Sequence, residues 1–169
     1  GVMAQNPRWC RTLPEWLAEM KSPDLADSED GLLRAAVLFD LRFVAGDKAL
    51  ADELRQGILK STTALSALQQ SLAGQVIDAV PPLNLIGRFV VETLGVGGTD
   101  FDLKSRGLAP LRDAARVLSM KYQLNRRYST GGRWEEIRRS IPRLDEVAGL
   151  AIEAYDFLLR LRTLNGLKR

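Results

Sequence analysis

A chain of 169 residues, 46% of them hydrophobic, is sized for one domain around a single core. Its 24 basic and 21 acidic residues leave a net charge of +3, too weak a field to favour nucleic acid or an anionic membrane as a partner. The absence of histidine excludes Ser-His-Asp triads, Cys-His pairs and His-ligated zinc, while a lone cysteine, Cys10, excludes an internal disulfide and reads as a reduced, cytoplasmic protein. Carboxylate-held magnesium, lysine or tyrosine chemistry and pure binding stay open. No apolar run approaches the ~20 residues of a spanning helix, and the first residues lack the regions of a signal peptide.

In chain order, Thr12 to Met20 predicts a short helix with Leu13, Trp16, Leu17 and Met20 on one side, ended by Ser22 and Pro23. Ser28 is placed to cap a second helix reaching about Val44 that is apolar almost all round, and such a helix belongs at the centre of a bundle. Gly46 ends it and Asp47 caps the next stretch, Ala49 to Ala79, which reads as one long helix or two with Gly57 and Gly74 as weak points. From Arg88 to Lys104 the period changes to alternation around Gly95, Gly97 and Gly98, predicting a β-hairpin with Phe89 facing Leu103 and Arg88 facing Lys104. Gly107 and Pro110 open a helix to about Tyr122. Gly131 and Gly132 fall in a polar loop before a short helix through Ile137, and Pro142 starts a last helix reaching about Leu164. The expected fold is mainly α, a helical bundle with one β-hairpin over residues 88–104, in a single domain spanning 1–169.

Charge singles out a few positions. Residues 100–139 hold 10 Lys/Arg against 5 Asp/Glu, whereas residues 1–99 hold 9 against 12. Asp40 and Arg42 fall where the apolar pattern predicts burial, so each needs a partner, with Arg116, Arg160 and Arg162 as candidates. An internal ion pair and a ligand-facing role both fit them. Arg88 opposite Lys104 is a like-charge cross-strand pair that an anion between them would relieve, and Asp102 with Glu92 offers the plainer neutralisation. Arg106, Arg112 and Arg116 follow closely, a density of guanidinium groups suited to phosphate. Gly97-Gly98 with Asp100 and Asp102 invites comparison with the glycine pair and paired carboxylates of nucleotidyltransferase cores. Only Thr99 intervenes here, leaving no helix N-terminus to cradle phosphate, so these carboxylates are read as a polar hairpin face. The basic run Arg126-Arg127-Tyr128, with Arg133, Trp134, Arg138 and Arg139, reads as a solvated face interrupted by Glu135 and Glu136, not as a nucleic-acid patch.

Several strings together resemble one family: Asn6-Pro7-Arg8-Trp9-Cys10, Phe39-Asp40-Leu41-Arg42 with Gly46-Asp47, Asp102-Leu103-Lys104 with Gly107-Leu108-Ala109-Pro110, Ala115-Arg116-Val117-Leu118, and Phe157 through Arg162. Spread over nearly the whole chain, they look like the nucleotidyltransferase substrate-binding domain of bacterial signal-transduction proteins. There the domain follows a catalytic domain akin to PII-uridylyltransferases, often preceded by CBS or cyclic-nucleotide-binding modules. The resemblance implies a non-catalytic, helical accessory domain that lies against the catalytic domain of the same polypeptide. It implies no cofactor in this chain, with magnesium and a nucleoside triphosphate belonging to the catalytic domain. Asp40, Arg42, Arg88, Lys104, Arg116 and Arg162 are the positions expected to line the shared cleft and meet the nucleotide or acceptor. Where the family continues its last helix with His-Gln, this chain has Leu164-Asn165. The alternative is a helical protein-interaction module whose charges only fix packing.

Overall fold

The computed structural model describes residues 6–22, 25, 28–79, 92–94, 98–100, 102–124 and 126–167. Seven α-helices among them make the chain mainly α, and none is long and apolar enough to cross a membrane. The chain divides into two compact units, residues 1–71 and 72–169.

In the first unit α1 (Leu13–Glu19) starts at Thr12, whose hydroxyl and backbone N–H both donate to Glu15 at 2.7 Å, closing a capping box. Ser28 accepts from the Gly31 N–H at 3.0 Å and opens α2 (Glu29–Phe39). Gly46, at a φ of 98° that favours glycine, leads to Asp47, which caps α3 (Lys48–Lys60) by accepting from the Ala49 N–H. The break before α4 (Thr62–Ile77) comes at Ser61, not at Gly57 or Gly74. The buried Ser61 hydroxyl donates to the Met20 carbonyl, and a side chain satisfied across the fold can end a helix without glycine. Gly57 lies on α3 where Leu17 of α1 packs so closely that a β-carbon would fall 2.0 Å from its Cδ2.

Trp16, Met20, Leu25, Leu38, Phe39 and Ile58 are buried in this unit. At its start Trp9 sits 6.2 Å from Trp16, ring to ring, and the Arg11 guanidinium lies 5.2 Å from the centre of the Trp16 ring. Glu19 pairs with Arg11 and Arg34, and Asp30 with Arg8 and Arg34, tying the opening turn to α1 and α2. A β-carbon at Gly31 would fall 2.4 Å from the Leu25 carbonyl oxygen, a backbone atom that cannot swing aside. Gly31→Ala is therefore expected to lower the stability of the first unit by about 2 kcal/mol, measured by chemical denaturation, because the second helix must move off Leu25. A loss under 0.5 kcal/mol would show that the approach is not that tight.

The second unit holds a short antiparallel pairing, β1 (Glu92–Leu94) with β2 (Gly98–Asp100), in the register Glu92–Asp100, Thr93–Thr99 and Leu94–Gly98. This does not establish the hairpin expected over 88–104: residues 88–91, 95–97 and 101 lie outside the described residues, and Leu103–Leu108 forms a wide helical turn instead of strand. That turn runs into α5 (Ala109–Lys121), followed by α6 (Thr130–Ser140), a 3-10 turn at Pro142–Leu144 and α7 (Asp145–Leu167). Gly131 and Gly132 lie inside α6, whose N-cap Ser129 accepts from the Gly132 N–H. The core gathers Ala115 of α5, Trp134 and Ile137 of α6, Ile141, and Ala148 and Ala151 of α7. Small residues on α5 and α7 let both helices close on the Trp134 ring, whose Nε1 donates to the Leu111 carbonyl at 3.0 Å. Helix α5 ends with Gln123 N–H on the Met120 carbonyl and Leu124 N–H on the Ser119 carbonyl, a Schellman closure that puts Gln123 at φ 54°. Glycine is the usual residue there; a side chain costs about 1 kcal/mol.

Candidate functional site

The charge-rich stretch beginning at Asp102 is organised by that residue's carboxylate. Asp102 Oδ1 accepts the Lys104 and Ser105 N–H groups at 2.9 and 3.0 Å, fixing the turn Leu103–Leu108. The turn closes with the Ala109 N–H on the Lys104 carbonyl, the wide spacing often found near functional sites. Contact with α7 is close: a β-carbon at Gly107 would meet Leu158 Cδ1 at 3.1 Å. Lys104 is exposed at the outer end of the turn and Arg106 half-buried, with Arg112 and Arg116 following on α5. Arg162 is exposed on α7, one helical turn beyond Leu158.

Hydrogen bonds from the Ser105 backbone and hydroxyl, then from Lys104, hold the Asp102 carboxyl below its ordinary value of 3.8. Its folded pKa is lowered, so the stabilisation is present above the unfolded value and is lost as pH falls through the folded one. An NMR titration should give Asp102 a midpoint below 3.8, and Asp102→Asn should flatten that part of the acid-stability profile. A midpoint at or above 3.8 would mean the turn is not capped this way. The same bonds commit Asp102 to capping the turn's backbone, where a polar hairpin face was expected. Among the described residues no group of three or more acidic, cysteine or histidine side chains is placed to hold a metal ion.

Sequence reasoning did not single out Asp113. It is buried on α5, accepting Arg112 Nε on Oδ1 at 2.9 Å, Arg112 Nη2 on Oδ2 at 2.8 Å and Arg116 Nη1 on Oδ1 at 2.8 Å. The signal was present in the spacing, since an aspartate three residues before an arginine shares its helix face. From Asp102 to Arg116 four basic side chains face two carboxylates, so the segment keeps a positive excess.

The expected burial of Asp40 and Arg42 is corrected. Helix α2 stops at Phe39, Asp40 is its half-buried C-cap, and Arg42 is exposed. Arg42 lines a cavity of about 570 Å³ in the first unit with Arg11, Trp16, Leu41, Phe43 and Leu50. Arg116, a candidate partner for Asp40, is paired with Asp113. Arg88 lies outside the described residues, so the Arg88–Lys104 juxtaposition does too. Lys104, Arg116 and Arg162 belong to the second unit, on the turn, α5 and α7 respectively.

A family model described as "Putative nucleotidyltransferase substrate binding domain" matches residues 66–169. The chain belongs to this family. The family match takes in the whole second unit and starts on α4, so it includes Arg88, Lys104, Arg116 and Arg162. Asp40, Arg42 and the resembling strings at Asn6–Cys10 and Phe39–Arg42 precede it. No curated protein and no solved structure matches the chain.

Proposed function

We propose that this chain is a substrate-binding or regulatory accessory domain of a multidomain nucleotidyltransferase, non-catalytic alone, whose catalytic domain is carried by the same polypeptide. The observation that carries this reading is the coincidence of the family match with the stretch where positive charge concentrates, around the Asp102-capped turn and α5. Lys104, Arg116 and Arg162, with Arg88, are the residues proposed to meet nucleotide phosphates or the acceptor; Asp40 and Arg42 extend the set. Guanidinium and ammonium groups serve this role because phosphate binds them through charge-assisted hydrogen bonds. Magnesium and the nucleoside triphosphate chemistry belong to the catalytic domain. A cytoplasmic bacterial signalling protein, with sensory modules such as CBS domains upstream, is the proposed context.

A thermal-shift titration of the chain with nucleoside triphosphates and magnesium tests this, comparing wild type with the Arg88→Ala, Lys104→Ala double variant. At a hundredfold excess over Kd, binding adds about 2.7 kcal/mol, a rise of several degrees that should shrink in the double variant. Magnesium-dependent nucleotide transfer by the purified chain would overturn the non-catalytic reading.

One observation favours a second reading, a protein-interaction module with purely structural ion pairs: the buried Asp113 between Arg112 and Arg116. On that reading no nucleotide shifts the melting temperature, and Lys104→Ala changes no small-molecule binding.

A further inference from the structure

Away from Lys104 and Arg116, the second unit has a concavity of about 410 Å³ between the loop leaving α5 and the outer side of α6, lined by Gln123, Leu124, Arg126, Arg127, Glu136, Arg139 and Ser140. We propose that it is an anion site for a di- or triphosphate group, a second site that does not rest on the preceding reading.

The loop is held in shape by the one carboxylate in the lining. Glu136 of α6 accepts the Arg126 N–H on Oε1 at 3.3 Å and the Arg127 N–H on Oε2 at 3.1 Å. Its charge is thus spent on backbone, and the guanidinium groups of Arg126 and Arg127 have no acidic side-chain partner among the described residues. Arg139 reaches only Glu135, at 3.8 Å with both side chains more than half exposed, a tie worth little in water. Among the described lining residues three guanidinium groups stand against one carboxylate, an excess of two positive charges. The Arg127 stem is seated against Gly132, where a β-carbon would fall 3.2 Å from the Arg127 Cβ. Gln123, kept at a left-handed φ where glycine would be easier, adds an amide to the lining, and Ser140 adds a hydroxyl.

The ligand class follows from size and chemistry. The volume lies within the ~300–1,000 Å³ range of small-ligand pockets and exceeds what one phosphate fills, and three planar donors match several phosphate oxygens at once. Among the described residues no aromatic ring lines the concavity, so the phosphate chain, not a base, supplies recognition.

Calorimetric titration of the full chain at fixed low salt, without metal, with inorganic triphosphate and with ATP, tests the site. Arg126→Gln with Arg127→Gln keeps both stems and backbone donors while removing the charges; Lys48→Ala, at an exposed cation of the first unit, serves as the control, and Lys104→Ala is titrated beside it. The expected result is triphosphate binding that weakens at least tenfold in the double variant, with melting temperature unchanged, and holds in Lys48→Ala. Equal affinity for ATP identifies the phosphate chain as the ligand, and at least tenfold tighter ATP binding identifies a nucleotide held by that chain. Absence of triphosphate binding, binding unchanged by the double substitution, or capture of a single-stranded oligonucleotide in place of triphosphate would overturn the site. Loss in Lys104→Ala alone would overturn it too while leaving the preceding reading intact.

Discussion

Trp134→Ala is expected to remove about 4 kcal/mol from the second unit, read as a lower denaturation midpoint by far-ultraviolet circular dichroism. Trp134 is 3% exposed, and the buried residues that α5 and α7 bring to its cluster are alanines, Ala115, Ala148 and Ala151, with Leu111, Leu118 and Ile152 packed around them. The buried alanines cannot extend into the space, and side chains already packed against the cluster fill it only in part, so a cavity persists. The variant also removes the donor to the Leu111 carbonyl. Trp134→Phe separates the two contributions, keeping most of the ring volume while losing the N–H, and should cost about 1–2 kcal/mol. Since a domain of this size is stable by only about 5–15 kcal/mol, the alanine variant should be partly unfolded at modest urea. A loss below about 1.5 kcal/mol would mean that the helices collapse onto the vacancy.

The second large effect is expected at Asp113→Ala, at about 3 kcal/mol. The Asp113 side chain is 6% exposed and that of Arg116 12%, so removing the carboxylate deprives a nearly buried cation of its counter-charge. Arg112, with 41% of its side chain exposed, can turn towards water and contributes less. Asp113→Asn keeps an acceptor but not the charge and should fall between wild type and alanine. Arg116→Met in the Asp113→Ala background should recover part of the loss, because the cation has been removed with its partner. A double-mutant cycle showing coupling below 0.5 kcal/mol would contradict a buried pair and free Arg116 for a purely ligand-facing role.

Much of the helical framework was legible because its punctuation is local. Ser28 and Asp47 act as the caps their position before apolar runs predicts, and Pro110 opens the helix it should. The errors lie where local signals mislead. Leu41 and Phe43 continue the apolar pattern of α2 past its end, because residues that line a cavity after a helix look the same in sequence as residues on its buried face. Gly131 and Gly132 read as loop, yet the first turn of a helix tolerates glycine when Ser129 supplies the cap. Ser61 ends α3 through a bond to Met20, a contact between positions 41 residues apart that no local window registers. Leu103 and Lys104 continue the alternation of the strand but are bent into a turn by Asp102.

The candidate site was legible as a concentration of charge and not as geometry. Lys104 and Arg116 stand out in the sequence as clustered cations, and the family resemblance adds Arg162; that Asp113 claims two of the nearby arginines depends on burial, which composition does not report. In sequence the Arg126-Arg127 run reads as a solvated face, because the whole-chain charge is low and Glu135 and Glu136 interrupt the patch. Glu136 in fact bonds the loop backbone, leaving the guanidinium groups to the concavity.

The three tryptophans are shared out unevenly, with Trp9 and Trp16 in the first unit and Trp134 in the second. Trp134, sealed among alanines and isoleucines, should emit at short wavelength, whereas the half-buried Trp9 should emit further to the red. Trp9 and Trp16 are also close enough to exchange excitation, while the cation beside Trp16 tunes its emission. Each unit therefore carries its own optical label, and in Trp134→Phe the remaining fluorescence belongs to the first unit alone. If one unit melts before the other, the colour of the light will show which.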